Sequence, residues 1–339
     1  MDTTVVGSFP LENNDENFER ALLDEINAGV TIPCYPQLVD MNHQVLQPLS
    51  QIIKGLSLRE KEFHFTGDFR LPQDEIVAVE YGKKFLKVLE KHPELKNKIN
   101  GMKACLTGPF TLSSNIILDD DSLKADYRPL LFQEIRGHLV PRIVEEMATY
   151  IAKITEAYKQ MGFTIISIDD PFLSQLVGRK KILFHEREFI INTVNKAAEK
   201  LENESSLHVC GNISSLLRDI LLDTNVHIMD HEFKTAPRNF ELFDKKTLEE
   251  HDKLLAYGAI QSNPVPIEGN PITGYVESLE ETISHISKAK DRYGEDNMIV
   301  KPDCGFGGMT AFDRLEAGLG QKLVIEKLQI MNEAVSKVF

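Results

Sequence analysis

The sequence predicts a (β/α)8 barrel, an α/β fold built as a single domain over residues 1–339, and three observations predict it. Eight short runs rich in β-branched and apolar residues alternate with long amphipathic stretches. The runs sit next to turn signals such as Gly-Ser, Thr-Gly, Asp-Pro or Cys-Gly. A Gly-rich phosphate loop after the first run would favour an open doubly wound sheet, but Val5-Val6-Gly7-Ser8-Phe9-Pro10 stands there instead.

In order, the predicted strands are 3–8, 62–66, 103–107, 164–169, 206–210, 226–230, 256–262 and 297–301. The clearest helix between them carries Ile143, Met147, Ile151, Ile154 and Tyr158 on one stripe of 3.6-residue period. Similar patterns cover 14–28, 72–91, 185–202, 213–223, 247–255, 276–293 and 312–338. No low-complexity tract or sequence repeat interrupts the alternation. The stretch 113–128, with Asp119-Asp120-Asp121, is polar and long for a connection after a strand. It reads as a solvated surface insertion or as a lid over the barrel mouth.

Of 339 residues, 38 are basic and 52 acidic, for a net charge of −14. That balance excludes a dedicated nucleic-acid binder, which needs a basic face to neutralise phosphates. Hydrophobic residues at 42% and charged residues at 27% are the proportions of a globular protein. No run reaches the roughly 20 apolar residues of a membrane span. Residues 1–10 lack the basic and apolar pattern of a secretory signal, so a cytoplasmic location is expected. The four cysteines, Cys34, Cys105, Cys210 and Cys304, are then expected to be reduced, buried or metal-bound rather than disulfide-paired.

The chemistry collects at the ends of three strands. The fifth run closes as His208-Val209-Cys210-Gly211, and side chains two apart on a strand share a face. The sixth closes as Asp230-His231-Glu232 and the eighth as Pro302-Asp303-Cys304-Gly305. In a barrel these ends are neighbours on the C-terminal rim, where active sites of this fold lie. His208, Cys210, Cys304 and Glu232 form a donor set suited to zinc. Alone, a His-x-Cys pair means little and a buried cysteine is often only a small apolar residue. The Cys304 run at the matching strand end is what favours the metal. Glu232 is preferred to His231 because a weak oxygen ligand can leave and open a position.

Two thiolates make a zinc electron-rich, poor at activating water and suited to holding the thiolate of a substrate, so alkyl transfer to sulfur is implied. The backbone N–H groups of Val6-Gly7-Ser8 and the Ser8 hydroxyl could hold a carboxylate. Asp169, in Ile168-Asp169-Asp170-Pro171, could hold an ammonium. Equally, Ser8 could be a turn residue and the aspartates a helix cap before Pro171.

Six segments, 3–10, 103–109, Ile168-Asp169-Asp170-Pro171, His208-Val209-Cys210, Asp230-His231-Glu232 and Pro302-Asp303-Cys304-Gly305, resemble the catalytic C-terminal half of cobalamin-independent methionine synthase in its short, single-barrel archaeal-type form. The resemblance implies a (β/α)8 barrel with zinc on His208, Cys210, Glu232 and Cys304. It implies homocysteine held at Val6 and Ser8 by its carboxylate and at Asp169 by its amino group, with a looser second acidic contact at Asp68. Two departures concern the methyl donor. The long family form has an additional N-terminal barrel for its folate donor, and this chain has no room for one. The family's Ile-His-Ser run, whose histidine assists transfer from folate, reads Ile260-Gln261-Ser262 here, and glutamine is no general acid.

A methylcorrinoid, which needs no proton to release its methyl group, is therefore the expected donor. No Asp-x-His-x-x-Gly corrinoid motif is present, so the corrinoid is expected free (methylcobalamin, not tightly bound) or on a separate corrinoid protein. The alternatives are methyltetrahydrofolate as donor, or a methylcorrinoid:coenzyme M methyltransferase, whose zinc motif His208-x-Cys210 also resembles. Coenzyme M carries a sulfonate, which Asp169 would repel. A purely structural zinc is a further alternative, and it would not exchange a ligand for added thiol.

Overall fold

The computed structural model describes residues 1–72, 74–119, 134–267, 269 and 271–339. Nine strands are named along it: β1 (Leu56–Arg59), β2 (Glu62–Phe65), β3 (Lys103–Thr107), β4 (Ile116–Leu118), β5 (Ile165–Asp169), β6 (Ser205–Val209), β7 (Ile228–His231), β8 (Leu254–Ile260) and β9 (Met298–Pro302). In β3, β5, β6 and β9 all five positions are buried, as a parallel strand covered on both faces requires. These strands with β7 and β8 form a parallel sheet in the order β3-β5-β6-β7-β8-β9.

Two further segments close this sheet into a barrel. Thr3 bridges Val300 and Thr4 bridges Ile32, Ser8 bridges Gln37, and Cys34 bridges Lys103, all in parallel. Residues 3–8 and 32–37 thus complete eight staves around one ring. Pro33 and Pro36 lack the N–H that a continuous ladder needs, so the second stave is joined by single bridges.

That second stave corrects the predicted strand at 62–66. β2 instead forms an antiparallel hairpin with β1 and pairs in parallel with β4, in a separate three-stranded sheet. Its burial alternates, with Phe63 and Phe65 inward and Glu62 exposed, which marks a strand with one wet face rather than a barrel stave. The expected polar insertion at 113–128 is also corrected at its start. Ser113 and Ser114 end the helix Pro109–Ser114, and β4 follows it, buried throughout. Residues 120–128, and with them the lid reading, lie outside the described residues.

The helices surround the barrel largely where periodicity expects them. Pro141–Gln160 buries Ile143, Met147, Ile151, Ile154 and Tyr158. The helix expected over 72–91 begins only at Glu80. Met41–Ile52, capped by Asp40 and containing Pro48, was not expected. The lower barrel interior is a small apolar plug of Ile32, Ile165, Ile228, Ala256 and Ile299. Above it the interior turns polar. No helix is long and apolar enough, among the described residues, to cross a membrane.

Candidate metal centre

Register fixes which side chains meet above the plug. Thr107 pairs with Asp169, Asp169 with His208, and His208 with Asp230, on four successive staves. Paired residues on parallel strands project to the same face, so this row lies in the barrel interior. Cys210, one residue past β6, and Cys304, two past β9, stand above His208.

The three potential ligands converge. His208 Nε2 lies 2.9 Å from Cys210 Sγ and 3.6 Å from Cys304 Sγ, and the two sulfurs are 3.5 Å apart. They form the one His/Cys/Asp/Glu group among the described residues whose donor atoms sit close enough for a metal. Tetrahedral zinc, with bonds of about 2.0–2.3 Å, sets its donors about 3.3–3.8 Å apart, so the set fits with a small opening at the His208–Cys210 edge. Protonation is polarised in the same sense. The hydrogen bond between the sulfurs holds the Cys304 thiol well below its ordinary range and pushes Cys210 up. Burial opposes a charged His208, but Cys210 and Asp230 outweigh it and hold the imidazole well above its usual value.

Behind His208 lies an ionic cluster. Asp230 Oδ1 is 2.6 Å from His208 Nδ1 and 2.9 Å from Lys301 Nζ, while Asp230 Oδ2 accepts from Lys103 Nζ at 3.0 Å. All four residues are fully buried. Burial would raise Asp230, but Lys103, Lys301 and His208 overcome it and keep the carboxylate well below its usual range. An ionised Asp230 accepts a hydrogen bond from Nδ1–H and so fixes the ring with Nε2 turned toward the sulfurs. Lysine in a buried strand is the signal that could have exposed this cluster, because a buried ammonium demands a carboxylate nearby.

Further contacts shape the rim. The backbone N–H of Cys304 donates to Ser262 Oγ at 3.1 Å. Asp303 accepts from the backbone of Phe233, Lys234 and Thr235 at 2.8, 2.9 and 2.6 Å, so it ties the loop after Glu232 to the Cys304 turn. The expected substrate residues are distributed unevenly. Asp169 is buried beside His208, accepts from Ser167 Oγ at 2.6 Å, and is raised by burial. Val6 is buried in the first stave. Ser8 accepts from the Gly307 N–H at 3.2 Å and retains its own proton to donate. Gly305 is required there, because a Cβ would meet Ser8 Oγ at 2.0 Å.

Two residues stand apart from the expectation. The Glu232 carboxylate is half-buried and accepts from Thr235 Oγ1 at 2.8 Å, outside the three-residue cluster. Asp68, the looser second acidic contact, is exposed and paired with Arg70 at 2.6 Å and Arg142 at 2.5 Å. His231 is buried on the opposite face of β7 from Asp230, stacked on Phe243. Asp170 caps the helix after β3, accepting from Phe110 and Thr111, not the turn after Pro171. All four cysteines are free thiols, and Cys34 and Cys105 form a second buried pair with sulfurs 3.4 Å apart.

Known proteins resemble this chain in sequence and in fold. The family model described as cobalamin-independent synthase, catalytic domain, matches residues 86–317. A methionine synthase of Methanothermobacter thermautotrophicus is 28% identical over 93% of this chain and 97% of its own length. The one from Methanothermobacter marburgensis is 26% identical over 93% and 97%. In structure, the chain is similar to a B12-independent methionine synthase from Shewanella sp. W3-18-1, with a TM-score of 0.66 and 17% identity, over 99% of this chain and 97% of that one.

Proposed function

The chain belongs to the family of cobalamin-independent methionine synthases, as their catalytic domain, and is a methyltransferase; we propose that it moves a methyl group to the sulfur of homocysteine, bound at a zinc held by His208, Cys210 and Cys304, to give methionine. The observation that carries the metal is the convergence of two thiols and an imidazole at the rim. A bound zinc would keep the acceptor sulfur as a thiolate at neutral pH. The chain's own residues do the rest. Asp230, itself fixed by Lys103 and Lys301, orients His208. Asp169 offers a carboxylate to the amino group of the substrate, and Ser8 a hydroxyl proton to its carboxylate. Glu232, on the loop that Asp303 fastens, is a fourth, displaceable oxygen donor in this reading.

Two observations bear on the donor and favour different readings. The family resemblance puts Gln261 where a histidine would assist a folate to leave, and glutamine is no general acid, which favours a methylcorrinoid, free or on a separate protein. The family's description as cobalamin-independent favours methyltetrahydrofolate. A coenzyme M acceptor is disfavoured, since Asp169 beside the cluster suits an ammonium and repels a sulfonate.

The test is methyl transfer by the zinc-loaded chain from methylcobalamin and, separately, from methyltetrahydrofolate, with homocysteine and coenzyme M as parallel acceptors. Methionine formation without methylated coenzyme M is the expected result, and the active donor decides between the two readings. Methylation of coenzyme M alone would overturn the roles given to Ser8 and Asp169.

A further inference from the structure

A cleft of about 530 Å³ opens on the same rim as the candidate centre. Its walls come from the loops after β5, β6 and β7, including Val177, Gly178, Arg179, Asn212, Ser214 and Arg238. Asn212 is only two residues beyond Cys210, so their Cα atoms lie within about 7.6 Å. The walls are fixed. Val177 bridges Ile182, and Gly178 N–H donates to Lys181 O at 3.0 Å, which makes 177–182 a tight hairpin. Buried Asn239 joins the other two loops, donating to Gly211 O and Glu232 O at 2.8 Å each and accepting from Ile213 N–H at 3.1 Å.

Charge sets this cleft apart in a chain of net charge −14. Arg179 and Arg238 line it, and Lys180 and Lys181 follow Arg179 on the exposed hairpin. None of the four has an ion-pair partner among the described residues, although nearby Arg187, Arg218 and Lys234 do. An acidic protein that lines one cavity with two arginines lacking ion-pair partners, and sets two more such cations on the adjoining hairpin, has a place for an anion there.

We propose that this cleft binds the anionic portion of the methyl donor, a phosphodiester or a run of carboxylates, while the donor's methyl group reaches the sulfur beside Cys210. This rests on the methyl-transfer reading above. Either donor discussed supplies such a group: the corrinoid a nucleotide-loop phosphodiester, the folate its glutamate carboxylates.

The experiment titrates the zinc-loaded full chain at equilibrium with two probe pairs, hydroxocobalamin against diaquocobinamide, which lacks the phosphodiester, and methyltetrahydrofolate with three against one glutamate. The wild type should prefer the member that carries the phosphodiester or the longer run of glutamates in one pair, and that pair identifies the source. The double variant Arg179→Ala/Arg238→Ala should weaken that member about tenfold and erase the preference. Arg179→Lys/Arg238→Lys should keep most of it, and the homocysteine KM should be unchanged in both. No preference in the wild type for either pair, or a preference that survives the double alanine variant, overturns the cleft assignment. If the wild type instead methylates no homocysteine from any donor, it is the methyltransferase reading that fails, and the titrations still decide the cleft because they do not depend on turnover.

Discussion

His208 Nδ1 and Asp230 Oδ1, paired in register on adjacent staves, lie 2.6 Å apart in a fully buried contact that leaves the other ring nitrogen facing two sulfurs. The same carboxylate is the counter-ion of two buried lysines, so orientation of the candidate ligand and neutralisation of the barrel interior depend on one residue.

Asp230→Asn should therefore act on both. Leaving Lys103 and Lys301 without a charge partner should cost about 3–5 kcal/mol of stability. Replacing the charged acceptor of the imidazole by a neutral amide oxygen should lower zinc affinity by about 10- to 100-fold. Thermal unfolding and competition with a chelator measure the two effects. Unchanged zinc affinity in a folded variant would mean that the carboxylate serves the lysines alone.

Replacing either sulfur tests the metal itself. Cys210→Ser or Cys304→Ser should strip or weaken zinc and abolish methyl transfer, read by metal analysis of the purified chain and by product formation. A serine variant that keeps both zinc and turnover would sink the proposed centre.

Asp169→Asn should raise the homocysteine KM by about 10- to 150-fold, the worth of one hydrogen bond to a charged group, and leave the donor KM nearly unchanged. Equal effects on both would place Asp169 in the general architecture rather than at the amino group.

Asp170 offers a test of pH dependence. It is buried and accepts from the Phe110 and Thr111 N–H groups at 3.0 and 2.8 Å, yet burial pushes its pKa from 3.8 up to about 7. A folded value above the unfolded one means that the protonated form favours folding. Its contribution is complete below the unfolded pKa of 3.8 and is lost as pH rises through about 7. The stability of the wild type relative to Asp170→Asn should fall from pH 4 to 7 and level off above. Guanidinium unfolding across that range measures it, and a difference independent of pH would contradict the assignment.

Much of this architecture is legible in the residues because strand ends carry it. His208, Cys210 and Cys304 could be brought together from the order of the runs and the closure rule of the fold, without coordinates. The second stave could not, because Pro33 and Pro36 erase the strand signal there, while Phe63 and Phe65 supply a strong one to a hairpin outside the barrel. Asp230, Lys103 and Lys301 were hidden for another reason. Each looks ordinary in its own segment, and only the register across staves turns a lysine of β3 and a lysine of β9 into neighbours of one aspartate. Glu232 and Asp68 show the converse, since spacing names the residue type while a neighbouring Thr235, or Arg70 and Arg142, decides where the carboxylate turns.

The seam of the barrel joins Thr3 to Val300, and the Ser8 hydroxyl accepts from Gly307, 299 residues along the chain. Contacts of such separation form late, because most of the polypeptide must already be in place before its two ends can meet. A chain still emerging from the ribosome can pack much of its wall but has no finished mouth. If Ser8 holds the substrate's carboxylate as proposed, that competence arrives with the final ring closure, and catalytic activity would itself report on the last step of assembly.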